Sequence, residues 1–191
     1  MPSHGNTRVY FVRHAQSDAS VHDELRRPLT QQGAADARRL AQAMRAFPIV
    51  RIYSSPYRRS VLTVEPLAQA LRLAVEIREG LREREIGAWV DDFHGYCRRQ
   101  WGDFDFALDG GESLRQAQSR NIAQVQALIE GNEGGSIVIG THGTALSLIL
   151  NHYDPAFGVR AFESIVGRMP WVVLCRFQDG RLTDWHEMDT G

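Results

Sequence analysis

VYFV at 9–12 is a β-rich, wholly apolar run that feeds directly into Arg13-His14. A strand without polar alternation is one buried on both faces, as in a parallel sheet covered by helices. IVRIY (49–53) is a second strand, leading into Ser54-Ser55-Pro56, and SIVIG (136–140) is a third, leading into Thr141-His142-Gly143. Helical patterns fill the intervals. RRPLTQQGAADARRLAQAM (26–44) carries Ala34, Ala37, Leu40, Ala41 and Met44 on one stripe, with Thr30 as its N-cap. Ser55-Pro56 is expected to open the next helix with a capping hydroxyl and a proline at its first position, and Pro66 to bend or end it early. Ser113 caps a helix bearing Leu114, Ala117, Ile122, Val125 and Ile129, and a short apolar helix starts near Thr144. WVVLCRF and LTDWHE flank Gln178-Asp179-Gly180-Arg181, whose Asp-Gly signals a hairpin. This alternation predicts an α/β fold, a three-layer α/β/α sandwich with a mostly parallel central sheet and an antiparallel edge.

Composition narrows the function. The 191 residues suit one domain, read here as 1–191, with no repeat, low-complexity tract or linker. A net charge of −1 gives no global attraction for nucleic acid or an anionic membrane, and no run approaches the length of a membrane span. MPSHGNTR lacks the apolar stretch of a secretory signal, so a cytoplasmic location is expected; Cys97 and Cys175 fit a reducing compartment. All 22 basic residues are arginine. That excludes Schiff-base, Walker-type and kinase-type lysines, each of which needs an ammonium group. Genome bias alone produces such a composition, yet anion chemistry here must run through Arg and His.

Ligands of parallel α/β sheets bind beyond the carboxyl ends of the strands. With the three strands parallel, Arg13-His14, the Ser54-Ser55-Pro56 turn with Arg58 or Arg59, and Thr141-His142-Gly143 meet at one edge. Helix N-termini after the second and third strands add free N–H groups and partial positive charge. Two arginines and a histidine can balance the charge of a phosphoryl group without magnesium, and a neutral imidazole can attack phosphorus. An alkoxide leaving group then needs a proton donor, for which a carboxylic acid beside bound phosphate is suited.

At these residues the chain resembles the histidine phosphatase superfamily, the phosphoglycerate mutase-like group. VRHAQS (12–17) is similar to its Arg-His-Gly signature, PLTQQG (28–33) to the opening of its first helix, and SSPYRRSVLT (54–63) to its Ser-Ser-Pro-Leu-x-Arg-Ala-x-x-Thr pattern. LREREIGAW (81–89) resembles the segment that carries the acid; GGES (110–113) and GTHG (140–143) complete an ordered series. The resemblance implies that His14 is phosphorylated, that Arg13, Arg59 and His142 hold the phosphate with Gly143, and that Glu83 is general acid, then base toward water. Ser20 stands where many members have a phosphate-contacting Asn. Ala15 replaces the usual Gly, which matters only if the backbone there needs φ > 0, and Val90-Asp91 replaces the usual Glu-Gly. No cofactor and no metal are implied, and a small phosphorylated metabolite is the expected substrate; nothing in the sequence speaks to oligomeric state. Hydrolysis of a phosphate monoester is the expected reaction. A cofactor-dependent mutase, a protein phosphohistidine phosphatase and a non-catalytic phosphate-binding domain are the competitors. Long insertions that shield the phosphoenzyme in mutases have no room in the compact Glu83–Gly110 segment.

Three other patterns carry less. His94-x-x-Cys97 offers two ligands where a metal site needs three or four. Cys175 and Arg181 have the Cys-x5-Arg spacing of cysteine phosphatases, but an Asp-Gly turn and an alternating strand follow where a phosphate-cradling helix is required. Trp89, Phe93, Tyr96, Trp101, Phe104 and Phe106, with Arg98 and Arg99, read either as core or as a rim that selects the leaving group.

Overall fold

A computed structural model describes residues 5–190. Residues 1–4, part of the segment inspected for a secretory signal, and Gly191 lie outside the described residues, as do the two ends of the 1–191 domain expectation. The sheet has six strands in the order β3-β2-β4-β1-β5-β6. β1 (Thr7–Arg13), β2 (Arg51–Ser54), β3 (Val75–Ile77) and β4 (Ser136–Thr141) are parallel; β5 (Trp171–Gln178) and β6 (Arg181–Met188) form the antiparallel edge. Asp179 and Gly180 both have positive φ, 53° and 71°, as the predicted hairpin turn requires.

The apolar runs divide by parity between two cores. Tyr10, Val12, Ile52 and Val138 pack under α1 (Gln31–Met44) and α2 (Arg58–Leu71), with Leu40, Met44, Val64 and Leu67. Val9, Phe11, Ile137 and Ile139 pack on the other face, against α4 (Leu114–Glu130), α5 (Gly143–Tyr153) and α6 (Val159–Ile165). α3 (Phe93–Gly102) joins this second core through Tyr96 and Cys97. A strand that must face two helical layers cannot alternate with polar residues, which is why β1 and β4 read as continuous. β1 and β4 are neighbours, and the helices that follow them, α1 and α5, lie on opposite faces. Their carboxyl ends therefore open a crevice at a topological switch point.

Two expectations need correction. Ser55-Pro56 precedes α2 and does not open it; the N-cap is Tyr57, without a side-chain cap. The Ser55 hydroxyl is spent on the turn, where it accepts from the Tyr57 N–H at 3.2 Å, and on His142. Of the two outcomes expected at Pro66, the early end does not occur: α2 runs on to Leu71. An interior proline costs about 3 kcal/mol, whereas burying Val64 and Leu67 returns about 1.5–3 kcal/mol each, so packing wins. Thr30 and Ser113 are the N-caps of α1 and α4 as read, the latter in a full capping box with Gln116. No helix among the described residues is long and apolar enough to cross a membrane.

Candidate active site

Strand register sets the site. Arg13 lies opposite Thr141, and Ser54 opposite Gly140. The ladder continues one step further: the His14 N–H donates to Thr141 O, and the Ser55 N–H to Gly140 O, each at 3.0 Å. His14 and His142 thus leave adjacent strands at the same level, with ring centroids 5.4 Å apart.

His14 is buried, with its Nδ1 2.8 Å from Ala15 O. A carbonyl only accepts, so Nδ1 carries the proton and the lone pair sits on Nε2. Burial, then the charges of Arg59, Arg13 and Arg27, push the imidazole pKa down to about 3, against the partial opposition of the Ala15 bond. The Ala15 N–H donates to Thr63 Oγ1, which itself donates to Arg59 O, so the β1 end is tied to α2. Among the described residues, positive φ outside glycine occurs only at Arg72 and Asp179, so Ala15 occupies its place without backbone strain.

His142 is fully buried, and its pKa too is driven well below the usual range by burial, then by Arg59. Its Nε2 lies 2.7 Å from Ser55 Oγ. With that hydroxyl donating, the ring proton sits on Nδ1, a buried atom that meets no acceptor among the described residues.

The arginines are embedded. Arg59 is 3% exposed, whereas Arg58 is exposed, which separates the two. Burial lowers the pKa of both Arg59 and Arg13, offset by acidic neighbours. Arg13 donates from Nη1 to Ile165 O and Arg168 O, and from Nη2 to Val166 O. Three of its five N–H groups thus hold the end of α6 and the residues just after it, leaving one Nη2 hydrogen and a buried Nε that has no partner among the described residues. The guanidinium lies flat over Gly143, where an added Cβ would come within 3.1 Å of Cζ. Glycine is required there for the approach.

Glu83 sits at the N-terminus of α5. Its Oε2 accepts from Thr144 N–H at 3.0 Å, and its Oε1 from Ala145 and Arg84 N–H at 2.9 Å. Gly143, at the first position of that helix, keeps an N–H that has no intrahelical acceptor. The acid segment is stapled from behind. Arg120 donates to Gly80 O, Arg82 O and Glu112, and Glu112 accepts from Glu85 N–H. Gly87 (φ 84°) and Gly111 pack back to back, and a Cβ on Gly111 would stand 2.4 Å from Ile86 O. GGES is therefore the bed of the acid segment.

Other sequence candidates are placed elsewhere. The Ser20 hydroxyl is exposed and donates to Asp18 at 2.6 Å, so it is not brought to the histidines. Arg98 pairs with Glu163 on α6, and Arg99 lies over the Phe106 ring at 3.7 Å. Tyr96 belongs to the core, while Trp89 is exposed and stacked on His22. Cys175 is buried within the β5–β6 hairpin, and burial pushes its thiol pKa up, the opposite of an activated thiolate. Sequence reasoning missed Ser55 as the partner of His142, and Arg27 and Glu24 in the β1–α1 loop. A hydroxyl before Pro at a strand end was the one available signal for Ser55; charges in an exposed loop carried none.

Taken with this geometry, a profile of the histidine phosphatase superfamily (branch 1) matches residues 9–185. The chain belongs to that superfamily. It is 28% identical over 158 residues to the "Probable phosphoglycerate mutase GpmB" of Salmonella choleraesuis (strain SC-B67), covering 75% of this chain and 73% of that one. Its fold is that of the mycobacterial glucosyl-3-phosphoglycerate phosphatase, with a TM-score of 0.76 at 21% identity, covering 95% and 97% of the two chains. The phosphoglycerate mutase of Bacillus anthracis str. Sterne superposes with a TM-score of 0.77 at 16% identity, covering 97% and 94%. Phosphatases and mutases share the fold, so it does not choose between them.

Proposed function

We propose that this chain, as one cytoplasmic domain, hydrolyses phosphate monoesters through a phosphohistidine at His14, without metal or cofactor. The observation that carries the reading is the Nδ1–Ala15 bond of a buried, neutral imidazole, which leaves Nε2 as a free nucleophile beside three arginines. Nε2 attacks phosphorus as the bond to the leaving oxygen breaks, and Glu83 supplies that oxygen's proton. The phosphoimidazolium keeps its Nδ1–H on Ala15 O, which favours the charge it acquires. Water then attacks phosphorus, Glu83 takes a proton from it, and the electron pair returns to Nε2. Charge on the equatorial oxygens is met by Arg59, by the spare Nε–H of Arg13, by Nδ1–H of His142 and by the Gly143 N–H. Ser20 joins this set only when Asp18 releases its hydroxyl.

A mutase reading draws support from the name of the Salmonella relative. Against it, the segment between Glu83 and Gly110 holds only the ten-residue α3 and short loops, with none of the insertions that keep water from the phosphoenzyme in mutases. The substrate class is a small phosphorylated metabolite. Similar structures carry the names glucosyl-3-phosphoglycerate phosphatase and phosphoserine phosphatase, which favours a phosphorylated carboxylic acid. A panel of phosphate monoesters, with and without a carboxylate, tests the reading. Inorganic phosphate should be released by the wild type and not by His14→Ala. Transfer to a second hydroxyl without release would favour the mutase, and release by His14→Ala would refute both.

A further inference from the structure

Arg27 lies late in the loop between β1 and α1, immediately before Pro28-Leu29-Thr30. Its Nε donates to Val21 O at 2.7 Å, which pins the guanidinium across its own loop. Its charge reaches the site, because it contributes to holding His14 neutral. Between Arg27 and Arg59 lies Glu24: Oε2 is 2.9 Å from Arg59 Nη2, and Oε1 is 2.5 Å from Arg27 Nη2. Arg59 Nη1 also donates to the Glu24 backbone carbonyl at 2.7 Å. One carboxylate thus bridges two guanidinium groups next to the nucleophile, as two oxygens of a phosphoryl group would. The burial is unequal: the Glu24 side chain is 54% exposed, against 4% for Arg59 and 18% for Arg27. The two cations are the embedded part of the arrangement, and the anion reaches in from the solvent side.

We propose that Arg27 is a further phosphate-binding cation, and that Glu24 is the internal occupant of the anion position between Arg27 and Arg59, which the substrate's phosphoryl group displaces. The inference rests on the phosphatase reading above. A phosphoryl dianion brings more charge and more acceptor oxygens than one carboxylate to the same two forks. Glu24 is half in water already, so its release only completes its hydration and carries no desolvation cost. When hydrolysis is complete, the same carboxylate competes with inorganic phosphate for the pair and promotes product release. A different role, in which Glu24 only clamps Arg59 in position, predicts the opposite sign for its removal.

Calorimetric titration with inorganic phosphate at fixed pH and ionic strength separates the cases. If the wild type binds no phosphate, the site reading fails, and this inference with it. If the wild type binds, Glu24→Gln should bind about tenfold or more tightly and Arg27→Gln about tenfold or more weakly, the range of one charge-assisted contact. Weaker or unchanged binding by Glu24→Gln overturns displacement while leaving the phosphatase reading intact. Arg27→Gln binding like the wild type removes Arg27 from the site. Because Glu24 is half exposed, the sign of its effect decides the matter even where Arg27→Gln fails to fold.

Discussion

Replacing His14 by Gln should change how stability depends on pH. In the unfolded chain the imidazole titrates near its ordinary 6.5; in the folded chain burial, Arg59 and Arg13 bring it to about 3. Between those values the unfolded state binds a proton that the folded state refuses, so stability is full above about 6.5 and falls as pH falls through the window. From pH 7 to pH 5 this one group removes about 2 kcal/mol. His142 acts in the same direction and adds its own loss. Urea unfolding at both pH values in phosphate-free buffer measures it: the wild type should lose about 2 kcal/mol more than His14→Gln over that interval. Equal losses would show that His14 titrates normally in the folded protein, and the neutral-nucleophile reasoning would be wrong. The same shift predicts that kcat/KM does not fall between pH 7 and 5 for want of unprotonated His14.

Glu83→Gln should slow alkyl phosphates far more than an activated aryl phosphate, whose leaving group needs little protonation; equal losses would remove Glu83 as the acid. Activity should persist in excess chelator and be inhibited by vanadate, a pentacoordinate mimic, and rescue of a chelated enzyme by a divalent ion would contradict the arginine-based charge supply. Gly111→Ala drives a methyl against Ile86 O at 2.4 Å, so it should destabilise by about 1–3 kcal/mol and lower kcat by shifting the acid segment. Thermal unfolding together with steady-state rates checks both effects.

The parallel frame was legible because β1 and β4 must face two helical layers, which leaves a continuous apolar run, and because Thr30 and Ser113 cap their helices through local hydrogen bonds. The two histidines followed from strand ends in register, whereas the choice of Arg59 over Arg58 came from the superfamily pattern. What was not legible depends on distant packing. β3 is three residues long, too short for periodicity to show, and Pro66 continues α2 because tertiary burial outweighs a local cost. Arg13 spends three of its donors on carbonyls more than 150 residues away, which no local pattern records. Ser20 was carried over from the superfamily pattern, but its nearest acceptor, Asp18, claims the hydroxyl first.

The most direct measurement is capture of the intermediate. Brief incubation with a phosphorus-labelled monoester, followed by denaturation, should leave acid-labile, alkali-stable label on the peptide bearing His14. The label should be absent from His14→Ala and should accumulate in Glu83→Gln given an activated substrate, because hydrolysis of the phosphoenzyme needs the base. Label that survives in His14→Ala, or turnover near wild type in that variant, would contradict His14 as the nucleophile.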